Sequence, residues 1–99
     1  MSRADIQLRD ANHASVSGEL TFSTTPALLE RSASIASASG TLIADLQGIT
    51  RADSAGLALL VEWLRLARAA GRDIQYVNPP EQLVRLVHVS GLEQIFALK

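Results

Sequence analysis

The segment Ser54–Arg72, SAGLALLVEWLRLARAAGR, constrains this chain more than any other. Its apolar residues recur at helical spacing, but on two stripes. At 100° per residue, Leu60, Val61, Leu64 and Ala67 fall within roughly 80° of Leu57, which makes a face for a sheet. Leu59, Trp63, Leu66 and Ala70 form a second stripe, expected to pack on a neighbouring helix of the same chain. Glu62, Arg65 and Arg72 mark the wet side, and Trp63 beside Glu62 is left room for partial exposure. The helix is expected to end at Gly71 or at Arg72-Asp73.

The flanks are strand-like. GTLIADL before the helix is a short apolar run entering from Gly40, and DIQYV after it carries Ile74, Tyr76 and Val77. Upstream, DIQLRD reads as an edge strand and ASVSGEL as a second strand, with Asn12-His13 suited to the turn between them. STTPALLERSASIASASG reads as one helix, with Thr25 as N-cap, Pro26 at the first helical position and Gly40 past the end. NPPEQLVRLVHVSG reads as another. Asn78 is its expected cap, Glu81 its capping-box partner, Leu83, Leu86 and Val87 its inner stripe, and Gly91 its end. LEQIFALK is expected to close the chain as a short strand or helical turn. The order is ββαβαβα, and the two strand–helix–strand links favour parallel pairing. The expected architecture is α/β: a small mixed sheet with three to four helices packed on it, residues 1–99 forming one domain.

Composition narrows the function. The net charge of −1 lacks the basic excess of a nucleic-acid binder. With no Cys there is neither a disulfide framework nor thiolate chemistry. The N-terminus has no apolar signal region, and the longest apolar run is far too short for a bilayer span. A cytoplasmic protein without direct membrane insertion is expected.

The mouth of the main helix is where chemistry could sit. Asp53 and Ser54 can accept from first-turn N–H groups, and Asp53 suits the positive helix end. Capping explains Asp53. It explains Ser54 and Gly56 less well, because Gly in a first turn costs stability relative to Ala. A bare surface around one hydroxyl suits a docking site. Catalysis fits poorly. The nucleophile elbow G-x-S-x-G has Ala52 in place of its leading Gly. The only histidines, His13 and His88, read as surface or packing residues, and no metal spacing or phosphate loop is present. No cofactor and no enzymatic activity are expected.

With SGEL (Ser17–Leu20), TPALLE (Thr25–Glu30), LIADLQGITRADSAGLALL (Leu42–Leu60) and SGLEQIF (Ser90–Phe96), the chain resembles the STAS domains from Val16 to about Phe96. That family comprises sulfate-transporter cytoplasmic domains and anti-sigma factor antagonists. The resemblance implies a mixed sheet bearing helices. It also implies that Ser54 matches the serine that a partner anti-sigma kinase phosphorylates in bacterial regulators, ending binding. Two branches compete. Antagonists usually carry Asp after GEL, where this chain has Thr21. The longer string DSAGLALLVEWLRLARAAGR is similar to STAS subunits of the ABC transporters that maintain outer-membrane phospholipid asymmetry. The resemblance then implies a cytoplasmic ABC ATPase as partner, with the chain peripheral on the inner membrane through it. The anti-sigma kinase is the alternative. The expected contact comprises Asp53, Ser54, Ala55, Gly56 and Leu57, with Thr21, Ser23, Thr24 and Thr25 as a second patch. A weak homodimer is left open.

Overall fold

The computed structural model describes residues 4–36 and 39–93. Strand β1 (Asp5–Asp10) pairs antiparallel with β2 (His13–Leu20), whose other side pairs in parallel with β3 (Thr41–Ala52). Strand β4 (Asp73–Val77) adds in parallel to β3, so the sheet order is β1-β2-β3-β4. Helices α1 (Thr25–Glu30), α2 (Ser54–Ala69) and α3 (Glu81–Val89) accompany a short 3₁₀ helix at Ser32–Ala36. The mixed sheet, the parallel crossovers and the edge position of β1 are as the sequence predicts.

Helix α2 uses both stripes. Leu57, Leu60, Leu64 and Ala67 are buried, as are Leu59 and Trp63 on the second stripe. Trp63 is 1% exposed, and its Nε1 donates to Ser32 Oγ at 2.7 Å. Tyr76, equally buried, donates its hydroxyl to Leu60 O at 2.7 Å, and burial pushes its phenol pKa up. The two largest core side chains therefore each tie α2 to a neighbouring element.

Several expectations are corrected. The first helix does not run on to Gly40; it stops at Glu30 and tightens to 3₁₀ geometry. Its N-cap is Thr24 rather than Thr25. Serine is a weak helix residue, and Ser32 turns its hydroxyl back to Leu28 O at 3.2 Å. Strand β3 runs on to Ala52, beyond the expected short strand. Register breaks opposite Ser15/Ser17 and Gly18/Glu19 interrupt its alternation, so Leu46 and Ile49 are both buried. Asn78 does not cap α3. Pro79 precedes Pro80 and is held out of the helical region, so the helix begins at Glu81 with Pro80 at the N-cap position. Glu81 pairs instead with Arg85 at 3.0 Å. The closing segment falls mostly outside the described residues.

The largest correction concerns Arg72. It is 3% exposed, not on the wet side. Helix α2 ends in a Schellman turn: Gly71 has φ +76°, its N–H donates to Arg68 O, and Arg72 N–H donates to Ala67 O at 2.8 Å. Beyond that turn the 100° periodicity no longer applies. The Arg72 side chain turns inward, where Nη1 donates to Ile35 O at 2.8 Å and Nε to Gly40 O at 3.1 Å. Nη2 donates to Ala11 O. One guanidinium thus holds the β1–β2 turn, the 3₁₀ helix and the entry to β3. Arg72→Lys keeps the charge but cannot reach three carbonyls at once. It should cost about 2 kcal/mol in urea unfolding, because buried acceptors lose their donors.

Candidate partner-docking site

The β2–α1 loop and the start of α2 meet at one end of the sheet. Backbone Asp53 N–H donates to Leu20 O at 3.1 Å, continuing the contact between the ends of β2 and β3. The Asp53 side chain then joins the two segments. Its Oδ1 accepts from Ala55 N at 2.9 Å and Gly56 N at 3.1 Å, capping α2. Its Oδ2 accepts from Phe22 N at 3.1 Å, across the loop. Partial desolvation works to raise the Asp53 pKa, but the N–H donors of Phe22, Gly56 and Ala55 outweigh it and the carboxyl lies below its ordinary value.

The loop is fixed from within as well. Thr24 Oγ1 donates to Glu19 O at 2.6 Å and accepts from Thr21 N at 3.0 Å. The N–H groups of Thr24 and Thr25 both reach Thr21 O at 3.0 Å. Thr24, whose hydroxyl makes no bond to the helix it precedes, is committed to the loop. From the other side, Gln82 of α3 accepts from Ala52 N at 2.9 Å and donates to Ala52 O at 2.6 Å, so the end of β3 is paired as if by another strand.

The structure brings the two predicted patches together, but not all of their residues reach the surface. Ser54 is exposed on the first turn of α2, Ser23 is exposed, and Asp53, Ala55, Thr24 and Thr25 are half-buried. Thr21, Gly56 and Leu57 are buried. Gly56 does allow a close backbone approach, but the backbone is this chain's own. A Cβ there would sit 2.7 Å from Leu20 Cβ and 2.9 Å from Leu20 C, and closer still to Leu20 O. Gly56 therefore seats α2 on the end of β2 rather than leaving room for a partner.

Sequence reading passed over Phe22. It is 81% exposed and sits between residues that were singled out. A large apolar residue in a loop of small polar ones was the available signal. Phe22 forms one wall of an open groove of about 540 Å³ between α1 and α2. Pro26, Leu29, Ala55, Ala58 and Leu59 line most of the rest, and Leu29 is itself 48% exposed.

Among the described residues, no group of three or more His, Cys, Asp or Glu side chains could hold a metal ion. No helix among them is long and apolar enough to cross a membrane.

The family described as "Mlab, STAS domain" matches residues 6–98, and the chain belongs to the STAS family. Solved structures agree. An anti-sigma factor antagonist from Mycobacterium paratuberculosis is 28% identical with a TM-score of 0.77, over 99% of this chain and 85% of that one. A Thermotoga maritima protein described as a putative anti-sigma factor antagonist is 15% identical with a TM-score of 0.72, over 96% and 84%. The phosphorylated form of the Bacillus cell fate determinant SpoIIAA is 19% identical with a TM-score of 0.66, over 97% and 90%. These last two show the shared fold. No curated protein matches the chain. As a STAS domain, the chain is a protein-interaction module and not an enzyme.

Two outcomes follow from the corner's geometry. Gly56→Ala should cost about 1–3 kcal/mol in chemical unfolding, since the methyl group meets the Leu20 backbone. Asp53, with its pKa held below the ordinary 3.8, contributes stability that is complete above that value and lost as pH falls through the folded-state pKa. In Asp53→Asn the stability deficit against wild type should be constant above about pH 5 and shrink below about pH 4, read from acid-dependent unfolding by circular dichroism.

Proposed function

We propose that this STAS domain docks onto an ATP-using partner protein through the start of α2 and the β2–α1 loop, and that phosphorylation of Ser54 ends the contact. The supporting observation is the exposed Ser54 hydroxyl on a corner whose flanking loop and helix are locked to one another by Asp53. A helix N-terminus ordinarily welcomes a phosphate. Here the N–H groups of Ala55 and Gly56 already serve Asp53, and that of Leu57 serves Asp53 O at 3.0 Å. A phosphoryl group on Ser54 would add nearly two negative charges beside an ionised carboxylate, facing outward toward the partner.

Two partners fit this reading. An anti-sigma factor kinase is supported by the solved relatives described as anti-sigma factor antagonists, one of them known in phosphorylated and unphosphorylated forms. The cytoplasmic ATPase of a phospholipid-transporting ABC transporter is supported by the resemblance of DSAGLALLVEWLRLARAAGR to the STAS subunits of such transporters, beside a family description that reads "Mlab, STAS domain". It is supported too by Thr21, which is buried where the antagonist pattern carries an acid. On either reading the chain acts in the cytoplasm and can change a partner's activity only through differential affinity for its states. The solved relatives bear more directly on the kinase, and the Thr21 loop favours the ATPase.

Co-purification with native complexes from the source cell should return one of these two proteins. Ser54→Glu should weaken its binding by about tenfold or more, close to 1.4 kcal/mol, with thermal unfolding unchanged. Binding of Ser54→Glu at wild-type affinity would remove the corner from the interface.

A further inference from the structure

We infer that Gln82 is the positioning residue of the docking corner: through the backbone of Ala52 it holds Asp53 where one carboxylate can reach both the start of α2 and the β2–α1 loop. This rests on the docking reading above and adds to it a residue of α3, an element outside the docking surface.

The last part of β3 needs such a hold. Strand β4 pairs with β3 only from Thr41 to Asp45, so among the described residues Leu46–Ala52 has no strand on that side. On the other side the ladder with β2 slips twice, between Ser15 and Ser17 and between Gly18 and Glu19. A strand that is bulged on one side and bare on the other is free to bend at its end. Ala52 is 3% exposed, so its N–H and C=O cannot turn to water without opening the corner. Gln82 supplies a partner for each. Its Oε1 accepts from Ala52 N at 2.9 Å, and its Nε2 donates to Ala52 O at 2.6 Å. A primary amide offers a donor and an acceptor side by side, the pattern that a neighbouring strand would present.

The amide is carried by a pinned backbone. Gln82 lies in the first turn of α3, directly after Pro79, Pro80 and Glu81, and Pro80 O accepts from Leu83 N at 3.0 Å and Val84 N at 3.1 Å. Leu83, the next residue, is fully buried, and Val87, one turn on, is 2% exposed.

Asp53 follows Ala52, and its N–H donates to Leu20 O at 3.1 Å. Its bonds to Ala55 N and Gly56 N are local and travel with the helix. Its bond to Phe22 N is not local, since it joins residues 31 apart in sequence. That bond closes only when the end of β3 stands at the right height against the loop. Gln82 sets the height, and the route from α3 to the loop runs through Ala52 and Asp53.

The test is amide hydrogen exchange on two variants. Gln82→Met keeps the length and helix propensity of the side chain and removes its donor and acceptor. Gln82→Glu, when ionised, keeps the acceptor and loses the donor. Arg72 N–H, bonded to Ala67 O at the other end of the sheet, is the reference for global opening. In both variants Phe22 N–H should exchange about tenfold faster against that reference, together with Ala52 N–H. Acceleration at Ala52 alone, with Phe22 as in wild type, would overturn the inference, because a purely local role stops at the residue that Gln82 touches. Calorimetric titration against the purified anti-sigma kinase and the purified ABC ATPase reads the consequence. Gln82→Met, at a temperature where it is fully folded, should weaken binding about threefold or more. If it binds within about twofold of wild type while Ser54→Glu does not bind, the inference is refuted and the docking reading stands. If Ser54→Glu binds as wild type, or neither protein binds, the docking reading falls and this inference with it.

Discussion

The corner depends on one carboxylate. Asp53 accepts from two N–H groups of its own helix and one from a loop 31 residues upstream. The first two bonds make an ordinary N-cap. The third makes the cap an inter-segment clamp, so that the start of α2 and the β2–α1 loop form one surface. Its negative charge is met chiefly by the backbone N–H groups of Phe22, Gly56 and Ala55, with the Arg51 cation a smaller contribution. The geometry therefore persists wherever the carboxyl is ionised and is weakly sensitive to salt, unlike an exposed ion pair.

At the opposite end of the sheet the same device appears with the sign reversed. Arg72 is a buried cation whose hydrogen bonds among the described residues run to backbone carbonyls of three separate segments. Between the two poles, Trp63 and Tyr76 bond α2 to the 3₁₀ helix region and to β4. A chain with only four aromatic residues has little large apolar surface to specify one packing. These polar tethers, each satisfied, supply specificity that Leu and Ala packing alone would leave loose.

What the sequence made legible follows from periodicity. The strand–helix–strand order, the parallel pairings and both stripes of α2 rest on residues inside regular elements, where spacing fixes direction. The failures lie where spacing stops applying. Arg72 stands one residue beyond a left-handed Gly71, so its wheel position meant nothing. Asn78 was displaced as a cap by two consecutive prolines. Strand β3 was read short because its bulges break the alternation after Leu46. At the corner, Asp53 and Ser54 were legible from residue type and position. Phe22 was not, because nothing local shows that a carboxylate 31 residues later will hold it outward. Gly56 was noticed for a sound reason, its cost in a helix, but the close approach it permits is internal.

That difference separates the roles of two neighbouring residues that the sequence runs together. Gly56 belongs to the fold, since Leu20 occupies the space a side chain would need. Ser54 belongs to the surface, since its hydroxyl stands on the first turn while its neighbours' N–H groups are already bonded to Asp53. Two residues along a first helical turn lie about 200° apart around the axis, so one faces the sheet while the other faces solvent. A group attached at Ser54 consequently changes the exposed surface of the corner without disturbing what holds the helix in place. On the proposed switching at Ser54, the corner stays rigid because its rigidity comes from Asp53 and Gly56, and the modified atom is on neither.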